Sequence, residues 1–519
     1  MKKVLLVGPF VKGDLFVQRF VTAPLGVWRV ASYLKKYGHY CVVYDCSDPS
    51  NVMTFEELVL SQKWDIIGFS SQVATMEYDI AKIFQAKRLS PESLLVAGGG
   101  GAALDYQFYL DKIPLDLIVL SEGEYPMLDL CNDKRWQDID GVVFRKKARV
   151  LDGDDYWDIN KDLDVEGMHM NKYWEKTASM YENPNLDEVK TFRLFTMNYC
   201  PLGCKFCTLT NWKKYAAGCN VPVVQLPPDQ ILYLVKKVVE SYSDVRRIFF
   251  VDDDFYLVVK RGDDFCKLVI GEKEKGNLPD YLSFIGVMNI ARINEKSLEL
   301  MVKAGWKVLS IGVESTSQYV LNSLNKRQTV EQIWKATEMI LKFDLKPYYT
   351  LLMFTPYGRI EDLLTDLQGF RKLSTMGAGI SLEPYLIPLP GTPLWEERVP
   401  ESTRWIDIEG TNVRIKKGFA WLPLDKGVRE IFYKYEEVYP RFKAWRFLVD
   451  GVKHKEKNYQ AGVMLDCLEF VLRHYFSYDV QNPRYLLKDL PRIESELKKY
   501  GDYVAVDIVG DFVKAGEGM

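Results

Sequence analysis

The sequence lacks the features that mark membrane-spanning, secreted and nucleic-acid-binding proteins. No apolar run approaches the roughly 20 residues that span a bilayer. The formal net charge of −3 gives no electrostatic reason to bind nucleic acid or an anionic membrane. Only four histidines and nine cysteines occur in 519 residues. The cysteine number is odd, and the first apolar run is too short for a secretion signal. We therefore expect a protein of the reducing cytoplasm, with no membrane span and no nucleic-acid partner.

Residues 1–145 alternate short apolar runs with amphipathic stretches, which predicts an α/β fold with a parallel sheet covered on both faces. The predicted strands are Lys3–Val7, Tyr40–Tyr44, Ile66–Ser70, Leu94–Ala97 and Leu117–Leu120. Ligands bind outside the carboxyl ends of the strands in such doubly wound, Rossmann-like sheets. Unusual residues follow these strands, including the four glycines Gly98–Gly101. Such a run either brings backbone close to a large ligand or only makes a tight turn.

Three further segments complete the predicted organisation. Residues 146–190 are polar and lack periodicity, which predicts a connector that packs over its neighbours. Residues 191–400 contain six βα units, too few for a closed eight-fold barrel, and predict a partial (β/α)6 barrel of the TIM type. Residues 401–519 become helical and aromatic, and predict a mainly helical C-terminal cap.

Three cysteines stand together at spacing C-x3-C-x2-C, just after the first predicted barrel strand. They are Cys200, Cys204 and Cys207. Thiolates are soft ligands that suit iron–sulfur clusters and zinc. Structural zinc sites and inert 4Fe–4S clusters take four protein ligands, so three thiols indicate a cluster with one iron left open. The alternatives are a zinc loop completed by a distant ligand such as Cys219, or three buried thiols.

The triplet and the six-fold partial barrel together resemble the radical S-adenosylmethionine (SAM) superfamily. Phe206 is the aromatic residue that commonly stands between the last two cysteines of this family. The resemblance implies a 4Fe–4S cluster whose fourth iron is chelated by SAM. Reduction by one electron then cleaves SAM to methionine and a 5′-deoxyadenosyl radical, which abstracts a substrate hydrogen.

Later strand ends resemble the SAM-binding signatures of the same superfamily. Asp252 and Asp253 end a strand where the family contacts the amino group of SAM, although a solvated acidic turn would look the same. Arg292, Glu314 and Ser315 resemble the signatures that bind the carboxylate and ribose of SAM. The resemblance therefore implies SAM contacts at Phe206, Asp252, Asp253, Arg292, Glu314 and Ser315.

A further resemblance is to the superfamily branch that carries an N-terminal cobalamin-binding domain. Leu389–Leu394 contains the Pro-Gly-Thr-Pro-Leu ending of that branch. The implied cobalamin-binding residues are Pro24, Leu25, Gly26, Ser70, Ser71, Thr75, Gly98, Gly99, Gly100, Gly101, Glu122 and Gly123. Other cobalamin domains place a cobalt-ligating His in a D-x-H-x-x-G loop after the first strand. Here the loop Gly8–Asp14 has no His, which implies cobalamin without a His beneath cobalt.

The leading hypothesis is a cobalamin-dependent radical SAM methyltransferase that moves a methyl group from methylcobalamin to an unactivated centre. An electron donor such as flavodoxin or ferredoxin is implied, and the aromatic C-terminal segment is expected to act as a lid. The same cofactors also serve cyclisation, ring rearrangement or oxidation without methyl transfer. A cobalamin or cluster sensor without turnover is the third alternative. The substrate stays open among a peptide or protein side chain, a natural-product intermediate, a tetrapyrrole and a lipid.

Overall fold

The computed structural model describes residues 1–10, 22–145, 147, 149–181, 183–208, 221–450, 457–480 and 484–500. Two parallel sheets organise this part of the chain. The first sheet has five strands and the second has six. Cys219 and the Val11–Asp14 part of the loop after the first strand lie outside the described residues.

The first sheet confirms the Rossmann-like prediction for the N-terminal region. Its strands are β1 (Lys3–Val7), β2 (Tyr40–Tyr44), β3 (Ile66–Ser70), β4 (Leu94–Gly98) and β5 (Leu117–Ile118), paired in parallel. The helices around it are α1 (Leu25–Lys36), α2 (Phe55–Leu60), α3 (Met76–Leu89), α4 (Gly99–Leu104), α5 (Tyr106–Lys112) and α6 (Glu124–Cys131). The strands lie side by side in the order β2-β1-β3-β4-β5. This order reverses between β1 and β3, which places a ligand crevice at the carboxyl ends of these two strands.

The polar segment after this sheet is helical, although its sequence shows no helical periodicity. It contains α7 (Gly153–Asn160), α8 (Met170–Ser179) and α9 (Leu186–Val189). Tyr173 donates from its hydroxyl to Asp45 Oδ2 at the end of β2 (2.7 Å), and Tyr156 donates to the carbonyl of Met197 after β6 (2.8 Å). The segment therefore packs over both sheets, and these tertiary contacts hold helices that periodicity does not predict.

The second sheet confirms the partial barrel, because its six strands pair in sequence order and all in parallel. The strands are β6 (Thr191–Leu194), β7 (Arg247–Phe250), β8 (Ser283–Met288), β9 (Trp306–Glu314), β10 (Lys346–Phe354) and β11 (Gly379–Tyr385). The helices are α10 (Pro228–Ser241), α11 (Val259–Glu274), α12 (Glu295–Ala304), α13 (Gln318–Ser323), α14 (Val330–Lys342), α15 (Ile360–Thr375) and α16 (Pro393–Glu396). All strands end at one edge, where barrel chemistry is found.

The C-terminal region is helical as predicted, but it begins with a β-hairpin. The hairpin pairs β12 (Glu401–Asp407) with β13 (Arg414–Trp421), and α17 (Lys426–Val449), α18 (Lys457–Phe476) and α19 (Leu490–Leu497) follow. Ile408 and Ile415 are buried in the core of the first sheet, and Lys417 pairs with Glu77 on α3 at 2.9 Å. The hairpin therefore connects the barrel end of the chain to the N-terminal sheet.

The aromatic side chains expected to form a lid do not line the large cavity described below. They are Trp395, Trp405, Trp421, Tyr433, Tyr435, Tyr439 and Trp445. Tyr435 and Tyr439 of α17 are buried in the hydrophobic core, where α17 and α18 pack on each other and α18 packs on β11. Trp421 of β13 is buried in a smaller hydrophobic cluster. Much of this aromatic content therefore serves packing, and a lid role for the C-terminal segment stays a prediction.

Candidate functional site

The cysteine loop follows β6 at the carboxyl edge of the second sheet. Cys204 is buried, whereas Cys200 and Cys207 are half-buried. Gly203 has a φ of 72°, a left-handed conformation that glycine adopts without a steric penalty. The amide of Cys207 donates to the carbonyl of Cys204 at 3.1 Å. The loop therefore makes a turn between Cys204 and Cys207, directly after the left-handed backbone of Gly203.

Two other segments hold this loop from outside. Asn325 Nδ2 donates to the carbonyl of Gly203 at 2.8 Å. The amide of Lys205 donates to the carbonyl of Leu324 at 3.0 Å, and the carbonyl of Lys205 accepts from the amide of Leu394 at 3.3 Å. The Pro-Gly-Thr-Pro-Leu motif thus supports the cysteine loop through its final leucine.

The donor set of the loop suits a cluster better than a single metal ion. Among the described residues, no three His, Cys, Asp or Glu side chains are grouped to hold one metal ion. Each thiolate of a cubane binds a different iron, so its cysteines do not have to meet at one point. Burial raises the pKa of Cys200 to about 12, and the neighbouring carboxylates of Asp253 and Asp254 add to this. Ligation by iron would remove that penalty, because metal-bound thiols are deprotonated. Three soft thiols fit three irons of a 4Fe–4S cluster.

Asp252 is an implied SAM contact, but its carboxylate forms hydrogen bonds with other residues of the protein. Its Oδ1 accepts from the amides of Thr196 and Met197, and its Oδ2 accepts from the Thr196 hydroxyl. The carboxylate is buried, and Arg261 Nη2 lies 3.9 Å from Oδ2. Burial raises the pKa of Asp252 against the opposing effect of Arg261 and these donors. Asp252 therefore ties the end of β6 to the end of β7.

The next two carboxylates lie nearer to the cysteine loop. Asp253 is half-buried and lines the large cavity, and its charge acts on Cys200. Asp254 is buried, and Oδ1 accepts from the amide of Asn289 at 3.2 Å. Its Oδ2 lies 3.9 Å from Arg292 Nε, and neither atom has a hydrogen-bond partner. Asp254 was not predicted from the sequence, although it continues the same acidic run.

Glu314 ends β9 in a backbone conformation that residues other than glycine rarely adopt. Its φ is 70°, and its carboxylate is buried. Lys326 donates from Nζ to Glu314 Oε1 at 3.1 Å, and the same Nζ lies 5.8 Å from the centre of the Phe206 ring. A Cβ on Gly312 would stand 2.8 Å from Glu314 Oε1 and 3.1 Å from Lys326 Nζ. A side chain at position 312 would therefore displace this ion pair, which sits beside the cysteine loop.

The side chain of Ser315, like that of Asp252, forms hydrogen bonds within the protein. Its hydroxyl donates to the carboxylate of Asp366 on α15 at 2.8–2.9 Å. Asp366 also accepts from the amide and hydroxyl of Thr316, and full burial raises its pKa to about 7. Ser315 thus anchors the loop after β9. Glu314, Arg292 and Asp253 remain the implied SAM contacts whose side chains we assign to SAM below.

A cavity of about 620 Å³ lies between the carboxyl edges of the two sheets. From the first sheet it is lined by eight of the twelve implied cobalamin-binding residues, namely Pro24, Leu25, Gly26, Ser70, Gly98, Gly99, Glu122 and Gly123. From the second sheet it is lined by Arg193, Phe195, Met197, Asn198, Val251, Asp252 and Asp253. Its walls are mainly apolar, which fits a macrocycle with an apolar body.

The other four implied cobalamin-binding residues lie behind the wall of this cavity. Ser71 is buried and shares a hydrogen bond of 2.8 Å with the Tyr109 hydroxyl, and Thr75 donates to Asp79 Oδ2 at 2.7 Å. A Cβ on Gly101 would stand 2.9 Å from the backbone of Gln72, and one on Gly100 would meet the Gln72 side chain. Glycine at position 101 therefore permits close approach to the backbone of Gln72, whereas a Cβ on Gly100 would make only ordinary contact with the Gln72 side chain.

Comparison with known families assigns the two halves of this site. Residues 194–367 match the model of the Radical SAM superfamily, and residues 12–130 match the model of the B12 binding domain. The first domain implies a 4Fe–4S cluster and SAM, and the second implies cobalamin. The cysteine loop, the Glu314 region and the cavity beside Gly98 and Gly99 fit these groups in donor type, charge and shape.

Curated relatives are distant and include two kinds of enzyme. An uncharacterised methyltransferase of Pyrococcus horikoshii is 22% identical over 397 residues, covering 73% of this chain and 79% of that protein. The cytidylyl-2-hydroxyethylphosphonate methyltransferase of Streptomyces wedmorensis is 25% identical over 381 residues, covering 63% and 67%. The anaerobic magnesium-protoporphyrin IX monomethyl ester cyclase of Rubrivivax gelatinosus is 26% identical over 332 residues, covering 61% of this chain and 56% of the cyclase.

Solved structures share the whole arrangement of domains. The cobalamin-dependent SAM radical enzyme OxsB with aqua-cobalamin bound matches with a TM-score of 0.65 and 15% identity, covering 100% of this chain and 79% of OxsB. The radical SAM methyltransferase TsrM of Kitasatospora setae, with cobalamin and a 4Fe–4S cluster bound, matches with a TM-score of 0.62 and 13% identity, covering 97% and 100%. At these identities the two structures establish the fold. The described helices include none long and apolar enough to cross a membrane.

Proposed function

We propose that this chain, a cobalamin-dependent radical SAM enzyme, is a C-methyltransferase that acts on an unactivated carbon of its substrate. The observation that carries the proposal is the cavity lined from both sheets. It brings Gly98 and Gly99 of the cobalamin-binding half together with Asp253, whose charge acts on Cys200. A substrate in this cavity would have access to both cofactors. The two methyltransferases among the relatives support the same assignment.

The residues fall into three roles under this proposal. Cys200, Cys204 and Cys207 would hold the cluster, and Asp253, Arg292 and Glu314 would bind SAM beside it. Pro24, Gly98, Gly99 and their neighbours on the cavity wall would hold cobalamin. When bound, the cluster and SAM supply a 5′-deoxyadenosyl radical that removes a substrate hydrogen, and cobalamin supplies the methyl group.

The remaining residues would fix this geometry and exclude water. Asp252 joins the ends of β6 and β7, so that the cysteine loop and the acidic run keep a constant separation. The Ser315–Asp366 hydrogen bonds do the same for the loop that carries Glu314. Apolar side chains such as Leu6, Val27 and Val96 line the cavity and leave few polar groups there to bind water.

Deuterium in the SAM methyl group provides the test. Reconstituted protein with cobalamin, a reductant and methyl-deuterated SAM should transfer label to a compound from a candidate substrate pool, as detected by mass spectrometry. The same reaction without cobalamin should transfer none. Release of 5′-deoxyadenosine with no labelled product in the presence of a consumed substrate would contradict methyl transfer.

The second candidate is a ring-forming or oxidising reaction on the same two cofactors. The similarity to the cyclase of Rubrivivax gelatinosus favours it. This reaction would consume the substrate and release 5′-deoxyadenosine without transferring label. For either candidate we propose an electron donor of the flavodoxin or ferredoxin type and, from the odd cysteine number and the clustered cysteine triplet, a reducing cytoplasmic compartment.

A further inference from the structure

An ion pair between Arg29 and Glu124 stands in the wall of the cavity. Arg29 lies on α1 and Glu124 begins α6, and both residues line the cavity. Arg29 Nη2 approaches Glu124 Oε1 to 3.1 Å. Arg29 is 9% exposed and Glu124 is 3% exposed, so both charges are largely removed from water. Arg29 belongs to no signature that points to cobalamin in the sequence, and Glu124 follows directly after Glu122 and Gly123, which do.

The pair is incomplete as a hydrogen-bonding unit. Arg29 Nε, Arg29 Nη2 and Glu124 Oε2 have no hydrogen-bond partner. A buried donor or acceptor that is left unsatisfied destabilises the fold, and a charged group does so more strongly. A ligand that offered one acceptor and one donor side by side would satisfy both residues together.

The ring of Tyr156 on α7 lies against the guanidinium of Arg29. The guanidinium carbon of Arg29 lies 5.5 Å from the centre of the Tyr156 ring. The Tyr156 hydroxyl is held by the carbonyl of Met197, and Asp252 is close enough to act on the same ring. The Arg29 side chain is thus fixed between the two halves of the molecule, at the edge of the cavity.

We propose that Arg29 and Glu124 together bind a primary carboxamide on the periphery of the cobalamin corrin ring. The carbonyl oxygen of an amide accepts from the guanidinium, and its NH2 group donates to the carboxylate. A carboxylate at this point would satisfy Arg29 but would meet the like charge of Glu124 in a medium of low dielectric. The corrin ring is an apolar macrocycle that carries several such amides, which matches an apolar cavity with one donor–acceptor pair in its wall.

This inference rests on cobalamin binding and is independent of methyl transfer. The proposal therefore survives if the reaction proves to be a cyclisation, and a failure of corrinoid discrimination leaves the methyl-transfer proposal intact. Its measurement is an equilibrium dissociation constant, which needs no turnover.

The test uses the full-length protein purified without corrinoid and titrated, by absorbance, with hydroxocobalamin. The second set of probes consists of the monocarboxylic acids of hydroxocobalamin, in each of which one ring amide is hydrolysed to a carboxylate. We expect at least one acid isomer to bind about tenfold or more weakly than hydroxocobalamin, because a charge-assisted hydrogen bond is worth about 1.5–3 kcal/mol. In the Glu124→Gln variant that isomer should recover at least about tenfold relative to hydroxocobalamin, because the like charge is gone.

Arg29→Met tests the other half of the pair and should weaken hydroxocobalamin binding about tenfold. Arg246→Met is its control, because Arg246 stacks on Tyr281 at the opposite end of the barrel strands. The double variant Arg29→Met/Glu124→Gln guards against a folding defect, since it leaves no uncompensated charge, and it should bind all the probes with similar affinity. Two results would overturn the proposal: an unchanged hydroxocobalamin affinity in Arg29→Met, or no discrimination among the isomers by the wild-type protein.

Discussion

Lys326 Nζ lies 3.1 Å from Glu314 Oε1, and both side chains are about nine-tenths buried beside the cysteine loop. The pair joins the end of β9 to a loop in which Asn325 and Arg327 both have positive φ. Strained backbone of this kind persists only where the surrounding structure enforces it, and it is common at functional sites. Since Glu314 is also an implied SAM contact, the pair links cofactor binding to the stability of the barrel edge.

Removing one member of this pair should destabilise the barrel strongly. Lys326→Met leaves the Glu314 carboxylate buried without its cation, and loss of one partner of a buried pair costs about 3–5 kcal/mol. Lys326→Met/Glu314→Gln should recover much of that loss. The measurement is the free energy of unfolding in urea. Lys205→Met is the control, because its pair with Glu397 is partly exposed and worth about 0–1 kcal/mol. Equal losses in Lys326→Met and Lys205→Met would refute the buried-pair interpretation.

The glycine beneath the pair provides a second test. In Gly312→Ala the new methyl group would stand 2.8 Å from Glu314 Oε1, so the carboxylate must move. We expect SAM binding, measured by calorimetry on reconstituted protein, to weaken at least about tenfold. Gly271→Ala is the matched control, because its Cβ would meet no atom within 4 Å and alanine favours the helix by about 0.5–1 kcal/mol. An unchanged SAM affinity in Gly312→Ala would show that Glu314 need not hold this position.

Cys204→Ala should abolish cluster assembly. The variant leaves two thiols for three irons, so iron and sulfide content after anaerobic reconstitution should fall well below that of the wild type. Cys41→Ala, a buried cysteine of β2, should keep the full cluster. Cleavage of SAM should be lost with the cluster, whereas a cobalamin sensor would keep its corrinoid response. Wild-type iron content in Cys204→Ala would contradict the assignment of the loop.

The buried carboxyl of Asp366 predicts a pH dependence of stability. Its pKa of about 7 in the folded protein lies above the ordinary value of about 4. Between these values the folded state keeps a proton that the unfolded chain has released. The stability gained from this group is therefore complete below about pH 4 and is lost as the pH rises to 7, at up to about 1.4 kcal/mol per pH unit. Urea unfolding of Asp366→Asn should show a flatter slope over this range. An identical slope would mean that Asp366 is ionised throughout.

Much of the architecture follows from local sequence signals. Short apolar runs predict the strands of the first sheet to within two residues, because a strand buried on both faces needs a continuous apolar segment. Helix α14 shows the same at its N-terminus, where Thr329 and Gln332 form a capping box. The helices of residues 146–190 cannot be predicted from such local signals. They are held by hydrogen bonds to residues far away in the sequence, from Tyr156 to Met197 and from Tyr173 to Asp45.

Within the site, the sequence identifies which residues are unusual, but it does not show which partners their side chains bind. Asp252 and Ser315 carry the expected signatures, yet their side chains are bound by Thr196, Met197 and Asp366. Lys326 and Arg29 carry no signature at all, because an isolated basic residue in a sequence looks like solvated surface. Only tertiary structure brings Lys326 to Glu314, twelve positions away, and Arg29 to Glu124.

The most direct test of the central claim, that one cavity serves methyl transfer with both cofactors, counts two products of SAM in one reaction. Reconstituted protein with cobalamin, reductant and substrate should release S-adenosylhomocysteine and 5′-deoxyadenosine in equal amounts, since one SAM gives the methyl group and another gives the radical. Release of 5′-deoxyadenosine alone, with the substrate consumed, would contradict it.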